Sequence, residues 1–214
     1  MKGYIHKIPS VIQFFSKDLV WNINKNCSSK NLYLTFDDGP HPQSTPIILD
    51  CLRQFNAKAT FFCQGNYVAQ YPSLYQKIIE QEHQIGNHTY DHISGWKSST
   101  DVYCNNVEQC AKYVSSNLFR PPYGQITRKQ IQVLKNKYYI IMYNIISGDF
   151  DSTLSTKYCY KKTIRYAKAG DIILFHDNLK SISKVQYLLS SCLDYWSAEG
   201  FTFESIYPNL IERI

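Results

Sequence analysis

The chain has 214 residues, of which 44% are hydrophobic and 19% charged, a balance that excludes the composition of a disordered segment. Its formal net charge is +6, but the densest basic stretch, residues 161–168, has apolar residues between its charges at helical spacing. We interpret that stretch as the solvated face of a helix. Because no nucleic-acid-binding motif accompanies it, we expect no nucleic-acid partner.

Cysteine usage and the first residues of the chain indicate the compartment. The seven cysteines are scattered and form no C-x-x-C pair, which favours reduced thiols over a disulfide scaffold or a zinc-thiolate site. The first residues include lysines but no apolar run of signal-peptide length, and no later segment approaches a membrane span. We therefore expect a cytoplasmic protein, with export by another route left open.

The first 30 residues differ in pattern from the rest of the chain. Apolar residues recur there at the spacing of one helical face, namely at Ile8, Val11, Ile12, Phe15 and Leu19. We predict a leading helical segment over residues 1–30 that docks on the rest of a single domain spanning residues 1–214.

From residue 32 onward, short apolar runs alternate with longer segments of helical period. We predict strands at residues 32–36, 59–62, 84–86, 118–120, 139–145, 172–175 and 201–206. Thr45-Pro46 is typical of a helix N-cap and first turn, Thr127 to Gln130 of a capping box, and Gly170 of the end of a helix that starts near residue 156. This alternation predicts an α/β fold with a mainly parallel sheet covered by helices, but it does not choose between a barrel and an open sheet.

Two adjacent carboxylates follow the first strand of this pattern. Asp37 and Asp38 would lie at the carboxyl end of the strand, where α/β folds place their active sites. Neighbouring residues leave a strand in different directions, so one carboxylate can bind a cation while the other faces an activated water. Taken alone, the Asp-Asp-Gly-Pro sequence is slightly better explained as a turn, because these residue types all favour turns.

Two histidines four residues apart follow the third predicted strand. His88 and His92 would lie on one face of a helical turn, close enough to share a metal ion. Two imidazoles and one carboxylate are typical ligands of a catalytic zinc or related divalent ion. An isolated H-x-x-x-H more often indicates a surface pair, but the nearby candidate Asp38 shifts the interpretation towards a metal site.

Two further polar residues end predicted strands. Arg120 precedes two prolines, and it either orients a carboxylate through paired hydrogen bonds or lies on a rigid surface loop. His176 suits a general acid, since the unperturbed pKa of histidine lies near neutrality; alone, it would be interpreted as a structural histidine beside Asp177. Because a parallel fold gathers its strand ends in one mouth, the four clusters together predict one active site.

Five segments, in this order along the chain, resemble the motifs of the polysaccharide deacetylase family, carbohydrate esterase family 4. They are TFDDG at residues 35–39, HTYDH at 88–92, RPPYG at 120–124, SGDF at 147–150 and ILFHD at 173–177. The match spans about residues 32–177, and the ordered set is highly specific. The family includes chitooligosaccharide, chitin, peptidoglycan and acetylxylan deacetylases. The resemblance implies an irregular (β/α) barrel of seven or eight mainly parallel strands.

The resemblance also implies a role for each central residue. Asp38, His88 and His92 would hold a divalent metal, typically Zn²⁺, with Co²⁺, Ni²⁺ and Mn²⁺ as alternatives. Asp37 would be the general base that activates water for attack on the acetamide carbonyl. His176 would be the general acid that protonates the departing amine of the sugar.

Other residues would support these groups, according to the same resemblance. Arg120 would orient Asp37, and Asp149 would either tune His176 or brace Arg120. The backbone N–H of Tyr123 would stabilise the oxyanion, and two apolar side chains would form the pocket for the acetyl methyl group. The expected substrate-binding residues are Tyr123, Pro122, Phe150 and Leu174.

The chain departs from the family pattern around the fourth motif. Phe150 stands where tryptophan is common, and Ile146 stands where an upstream acidic residue is common. Phenylalanine keeps an apolar wall but lacks the indole N–H donor, so this departure bears on substrate preference. We expect a metal-dependent hydrolase that removes N-acetyl groups from an N-acetylated glycan and releases acetate. Two alternatives stay open: the same metal site acting on O-acetyl esters or another amide, and a non-catalytic glycan-binding relative.

Overall fold

The computed structural model describes residues 6–23 and 29–211. Within these ranges, one sheet contains the strands β1 (Leu19–Val20), β2 (Asn31–Asp37), β3 (Ala59–Cys63), β4 (Gln84–Asn87), β5 (Leu118–Phe119), β6 (Tyr139–Ile141), β7 (Ile145–Ile146), β8 (Ile172–His176) and β9 (Thr202–Phe203). Their order is β1-β6-β5-β4-β3-β2-β8-β7, and β9 pairs with the start of β2. All pairings between these strands are parallel, and the sheet curls into part of a barrel. The predicted α/β barrel architecture is confirmed.

Helices join most of these strands. In the described part of the chain they are α1 (Ser10–Phe14), α2 (Thr45–Gln54), α3 (Gly65–Gln70), α4 (Pro72–Glu80), α5 (Thr100–Ala111), α6 (Arg128–Leu134), α7 (Thr156–Tyr166) and α8 (Ile182–Ala198). The capping box between Thr127 and Gln130 is present at the start of α6, as predicted. The predicted end of α7 is wrong, because extended backbone at Ala167 stops the helix before Gly170. Gly170 instead has a φ of 86° in the turn before β8.

The predicted strand over residues 139–145 is two strands. Residues 142–144 lie between β6 and β7; the backbone N–H groups of Met142 and Asn144 still bond to Val20 of β1 and Ile172 of β8. The carbonyl of Met142 accepts a hydrogen bond from Arg120, and the Asn144 side chain accepts from the backbone N–H of Ile172. This interruption places a carbonyl and a tyrosine, Tyr143, beside the predicted active site instead of in the sheet.

The described residues at the start of the chain form a much shorter helix than predicted, followed by the strand β1, which joins the sheet. Helix α1 spans only five residues, none of them buried. Val11 and Phe15 are 58% and 78% exposed, whereas Leu19, the last residue of the predicted stripe, packs against an apolar cluster that contains Ile140. The helix ends because the chain turns into β1, where Leu19 pairs with Ile140 of β6. Residues 1–5 and 24–28 of the predicted segment lie outside the described residues.

Alternation along β2 separates the helix-facing core from the barrel interior. Leu34 and Phe36 belong to the large apolar cluster that also contains residues of α2 and α8, such as Trp196. Tyr33 belongs instead to a second cluster, formed with residues of other strands. Because side chains alternate along a strand, Thr35 and Asp37 lie on the same face of β2 as Tyr33, the face towards the barrel interior. The sequence of β2 thus brings a carboxylate to the carboxyl end of the barrel interior.

Two expectations about thiols and membranes can also be compared with the structure. The six cysteines that lie in the described ranges are all free, as predicted, whereas Cys27 lies outside those ranges. Burial raises the pKa of the Cys51 thiol to about 11. No helix among the described residues is both long enough and apolar enough to cross a membrane.

Candidate active site

The predicted site residues surround one cavity at the carboxyl ends of the strands. Its volume is about 650 Å³, and its lining includes Asp37, Asp38, His88, His92 and His176. Parallel register explains part of this convergence, because Asp37 of β2 is directly opposite His176 of β8. The strand ends therefore meet as the sequence predicted.

Asp38 and the two histidines form a compact set of candidate metal ligands. The Oδ1 atom of Asp38 lies 2.9 Å from Nε2 of His92 and 3.6 Å from Nε2 of His88. One ligand atom from each residue lies within 4.8 Å of the other two. Burial alone would raise the pKa of Asp38, but its interactions with His88 and His92 hold that pKa well below the usual range. An ionised carboxylate beside two imidazoles suits a divalent cation.

The orientation of His88 fits the same role. Its Nδ1 lies 2.8 Å from the backbone carbonyl oxygen of Arg120. A carbonyl oxygen only accepts, so Nδ1 carries the proton and donates it there. In the neutral ring, the Nε2 lone pair then faces Asp38. Metal-binding histidines are typically held by such a bond at their other nitrogen.

The two histidines converge through a loop, and the predicted helical turn is wrong. Residues 88–92 form no helix, and Thr89 and His92 have positive φ angles of 63° and 55°. Side-chain amides hold this loop: Asn87 Oδ1 accepts from the backbone N–H of Thr89, and Asn106 Oδ1 accepts from that of Tyr90. The two imidazole centroids lie 5.1 Å apart.

Positive φ angles at non-glycine residues recur around this cavity. Asp38 has a φ of 84° and Tyr123 one of 60°, in addition to the two in the histidine loop. Side chains other than glycine rarely adopt this conformation, and each instance costs on the order of 1 kcal/mol or more. Such strain is concentrated at functional sites, where the surrounding structure maintains it.

Arg120 is a fully buried cation that holds the other aspartate. Its Nη1 atom donates to Asp37 Oδ1 and to Thr35 Oγ1, each at 2.7 Å. Its Nε and Nη2 atoms donate to the carbonyls of Ile141 and Met142 at 3.1 and 2.9 Å. The guanidinium also lies 4.1 Å from the centre of the Phe62 ring. Arg120 therefore fixes Asp37 from behind the cavity.

His176 is held by Asp149 at two points. Its Nδ1 lies 2.9 Å from Asp149 Oδ1, and its backbone N–H donates to Asp149 Oδ2 at 2.7 Å. Burial lowers the pKa of His176, but the charge and hydrogen bond of Asp149 dominate and, with Asp38 and Asp37, raise it to about 9. Asp149 contacts His176, and no hydrogen bond joins it to Arg120 among the described residues; its role in tuning His176 stays a prediction.

Apolar side chains cover one wall of the cavity. Phe150, Leu174 and Tyr123 line it, and the Phe150 ring meets the His176 ring edge-on at 4.7 Å. Pro122 is buried at the start of a short 3-10 helix, Pro122–Gly124, and does not line the cavity. The expected contact of Pro122 with substrate stays a prediction, and its neighbour Tyr123 does line the cavity.

Three residues of the site escaped the sequence reasoning. Thr35 supports Arg120, Gln64 donates to Asp38 Oδ1 at 3.3 Å, and Asn178 donates to Asp38 Oδ2. Gln64 directly follows β3, so the rule that active-site residues follow strand ends would have selected it. Asn178 follows the fifth motif by one residue, and nothing in its spacing indicates which group it bonds.

Asp177, the residue directly after β8, connects that strand to the start of α2. It is fully buried, and the hydroxyls of Ser44 and Thr45 each donate to it at 2.5 Å. Burial raises its pKa to about 7, against the effect of those two hydroxyls. Thr45 was predicted as the N-cap of α2, but it is the first helical residue, and its hydroxyl binds Asp177. These bonds tie the start of α2 to the end of β8.

Comparison of the sequence with known proteins finds relatives that cover most of the chain. The sequence model described as polysaccharide deacetylase matches residues 24–140. A peptidoglycan-N-acetylglucosamine deacetylase of Bacillus cereus is 31% identical over 195 residues, covering 88% of this chain and 91% of that protein. A chitooligosaccharide deacetylase of Azorhizobium caulinodans is 31% identical over 164 residues, covering 72% of this chain and 76% of that protein.

A solved structure has the same fold over nearly the whole chain. It is a peptidoglycan N-acetylglucosamine deacetylase in complex with 4-naphthalen-1-yl-N-oxidanyl-benzamide. The TM-score is 0.85 at 26% identity, with 92% of this chain and 94% of that chain covered. The five motifs, the shared fold and these sequence matches lead to one conclusion: the chain belongs to the polysaccharide deacetylase family.

Proposed function

We propose that this protein is a metal-dependent hydrolase that removes N-acetyl groups from N-acetylglucosamine residues of an oligo- or polysaccharide. The observation that carries the proposal is the division of labour between two adjacent aspartates. Asp38 faces two imidazoles, whereas Asp37 faces a buried guanidinium. The names of the two sequence relatives support N-acetylated glycans as the substrate class.

Asp38, His88 and His92 would hold a divalent cation, which we propose to be Zn²⁺. The set fits, since two neutral imidazoles and one ionised carboxylate leave coordination positions for water and substrate. When bound, such an ion polarises the acetyl carbonyl and lowers the pKa of water. Co²⁺, Ni²⁺ and Mn²⁺ accept the same donor types and are the alternatives for reconstitution.

Asp37 would accept the proton of the attacking water. Its Oδ1 atom is occupied by the bond to Arg120, so Oδ2, which lies 3.8 Å from His88 Nε2, is the oxygen available on the cavity side. Arg120 pairs with Asp37 as a buried ion pair, with Nη1 2.7 Å from Oδ1. The buried bonds of Arg120 also keep the carboxylate in one orientation, which general-base catalysis requires.

His176 would deliver a proton to the departing sugar amine. Because Nδ1 is bonded to Asp149, Nε2 is the atom left to donate. A pKa of about 9 keeps the ring protonated at neutral pH, as a general acid must be. The backbone N–H of Tyr123 would stabilise the oxyanion, and Leu174 and Phe150 would enclose the acetyl methyl group.

Acetate release tests the proposal directly. Purified protein loaded with Zn²⁺ is incubated in parallel with chitooligosaccharides, peptidoglycan fragments and acetylated xylan. We expect acetate from at least one of the two N-acetylated substrates, and none after the metal is removed by a chelator. Acetate from xylan alone would favour an O-acetyl esterase. Glycan binding without acetate release from any substrate would favour a non-catalytic relative.

A further inference from the structure

Asp38 has a further polar contact, to Asn178, a residue with no role in the proposed reaction. Nδ2 of Asn178 donates to Oδ2 of Asp38 at 2.5 Å. The other oxygen, Oδ1, is the one that lies 2.9 Å from Nε2 of His92. The two oxygens of this carboxylate therefore face different partners: one faces the imidazoles, and the other faces the loop that follows β8.

The orientation of the Asn178 amide follows from its other contacts. Its Oδ1 atom accepts from the backbone N–H of Lys180 at 2.8 Å and from that of Ser181 at 3.0 Å. Only an oxygen can accept these bonds, so the amide cannot be flipped, and its NH₂ group must point towards Asp38.

The backbone of this loop is also fixed. The Ser181 hydroxyl donates to the carbonyl of His176 at 2.8 Å and to that of Asn178 at 3.0 Å. Ser181 is the residue directly before α8, which spans 17 residues. The side chain of Asn178 is thus anchored on the start of a long helix at one end and on Asp38 at the other.

We propose that Asn178 is a positioning residue of the metal site, an inference that rests on the proposed metal-dependent function. Its bond occupies Oδ2 of Asp38, so that the carboxylate presents Oδ1 alone to a cation shared with His88 and His92. The contact from Gln64 to Oδ1 is longer, at 3.3 Å, and falls on the metal-facing oxygen, so it does not substitute for Asn178. Loss of a bond that orients a metal ligand typically weakens metal binding about 10–100-fold.

The test is the Zn²⁺ dissociation constant, measured by competition with a chromophoric chelator. Asn178→Ala removes the donor, and we expect its affinity for Zn²⁺ to fall about 10–100-fold relative to the wild type. Far-UV circular dichroism at the same temperature checks that each protein is folded. Leu179→Ala is the neighbouring control, because that side chain is uncharged and 56% exposed and offers neither a ligand nor a donor; its affinity for Zn²⁺ should stay within about threefold, on the scale of a solvent-exposed change.

Ser181→Ala separates the amide bond from general loosening of the loop. It removes the two hydroxyl bonds but keeps the backbone N–H that Asn178 Oδ1 accepts, so we expect lower thermal stability with nearly unchanged Zn²⁺ affinity. Unchanged affinity in Asn178→Ala, or an equal loss in Ser181→Ala, would overturn the inference while the proposed function stands. A wild-type protein that binds no Zn²⁺ would overturn both.

Discussion

Replacement of Arg120 tests whether the buried guanidinium holds the site together. Arg120 makes four hydrogen bonds, to the side chains of Thr35 and Asp37 and to the carbonyls of Ile141 and Met142. Arg120→Ala removes all four and leaves the Asp37 carboxylate buried without its cation. Arg120→Lys keeps the charge, but one ammonium cannot reproduce donors that point in four directions.

The expected size follows from these contacts. Breaking a buried ion pair by removing one partner costs about 3–5 kcal/mol, and each carbonyl left buried and unsatisfied adds about 1–3 kcal/mol. We therefore expect Arg120→Ala to lower the free energy of unfolding by at least about 3 kcal/mol. Arg120→Lys should lose about 1–3 kcal/mol, since at least one buried partner loses its donor. Misplacement of Asp37 should also reduce kcat, by about 100-fold for a displacement near 1 Å.

The assay is urea unfolding at neutral pH, followed by circular dichroism, with acetate release measured on the same preparations. Arg53 provides a matched control, because its ion pair with Asp50 is 3.1 Å long but its side chain is 69% exposed. Arg53→Ala should change the free energy of unfolding by less than about 1 kcal/mol. Arg120 does not hold the site together if Arg120→Ala is no more destabilising than Arg53→Ala, or if Arg120→Lys retains full activity.

Three further predictions concern the proposed general acid His176, the packing of Gly39 against Asp177, and the cavity-lining residue Phe150. Asp149→Asn removes the charge that raises the pKa of His176, so that pKa should fall. In a pH profile of kcat/KM, the decrease in activity at alkaline pH should then begin at lower pH. An unchanged profile would exclude His176 as the general acid. Gly39→Ala would place a Cβ 2.1 Å from Asp177 Oδ2, and we expect a loss of about 1–3 kcal/mol in urea unfolding, whereas a neutral result would mean that the carboxylate can move. Phe150→Ala should reduce kcat/KM about 10-fold or more with zinc content unchanged, and an unaltered value would remove Phe150 from the substrate wall.

Much of the site could be predicted because its residues directly follow strands. The carboxyl ends of parallel strands meet at one edge of the sheet, however the connecting helices pack on it. Asp37, Asp38 and His176 could therefore be placed together from local sequence alone. Arg120 could be placed in the same way. Its four bonds could not, because two of its partners are the carbonyls of Ile141, at the end of β6, and Met142, just after it, and the sequence did not show that the strand ends there.

The failures share a cause, which is that local periodicity does not encode tertiary contacts. The spacing of His88 and His92 suggested a helical turn, but positive φ angles and the side chains of Asn87 and Asn106 make it a loop. The stripe that includes Val11 has helical spacing, but the helix there spans only five residues and buries none of them, while Leu19 belongs to a strand. Asn178 was missed because its role depends on a bond across 140 positions of sequence.

The separate roles of the two adjacent aspartates are the central claim, and one paired measurement tests them. Metal content by mass spectrometry and acetate release are determined for the wild type, Asp37→Asn and Asp38→Ala after identical loading with Zn²⁺. The account predicts about one zinc per chain and no turnover for Asp37→Asn, against loss of both zinc and turnover for Asp38→Ala. Equal loss of zinc in the two variants, or full turnover in Asp37→Asn, would contradict it.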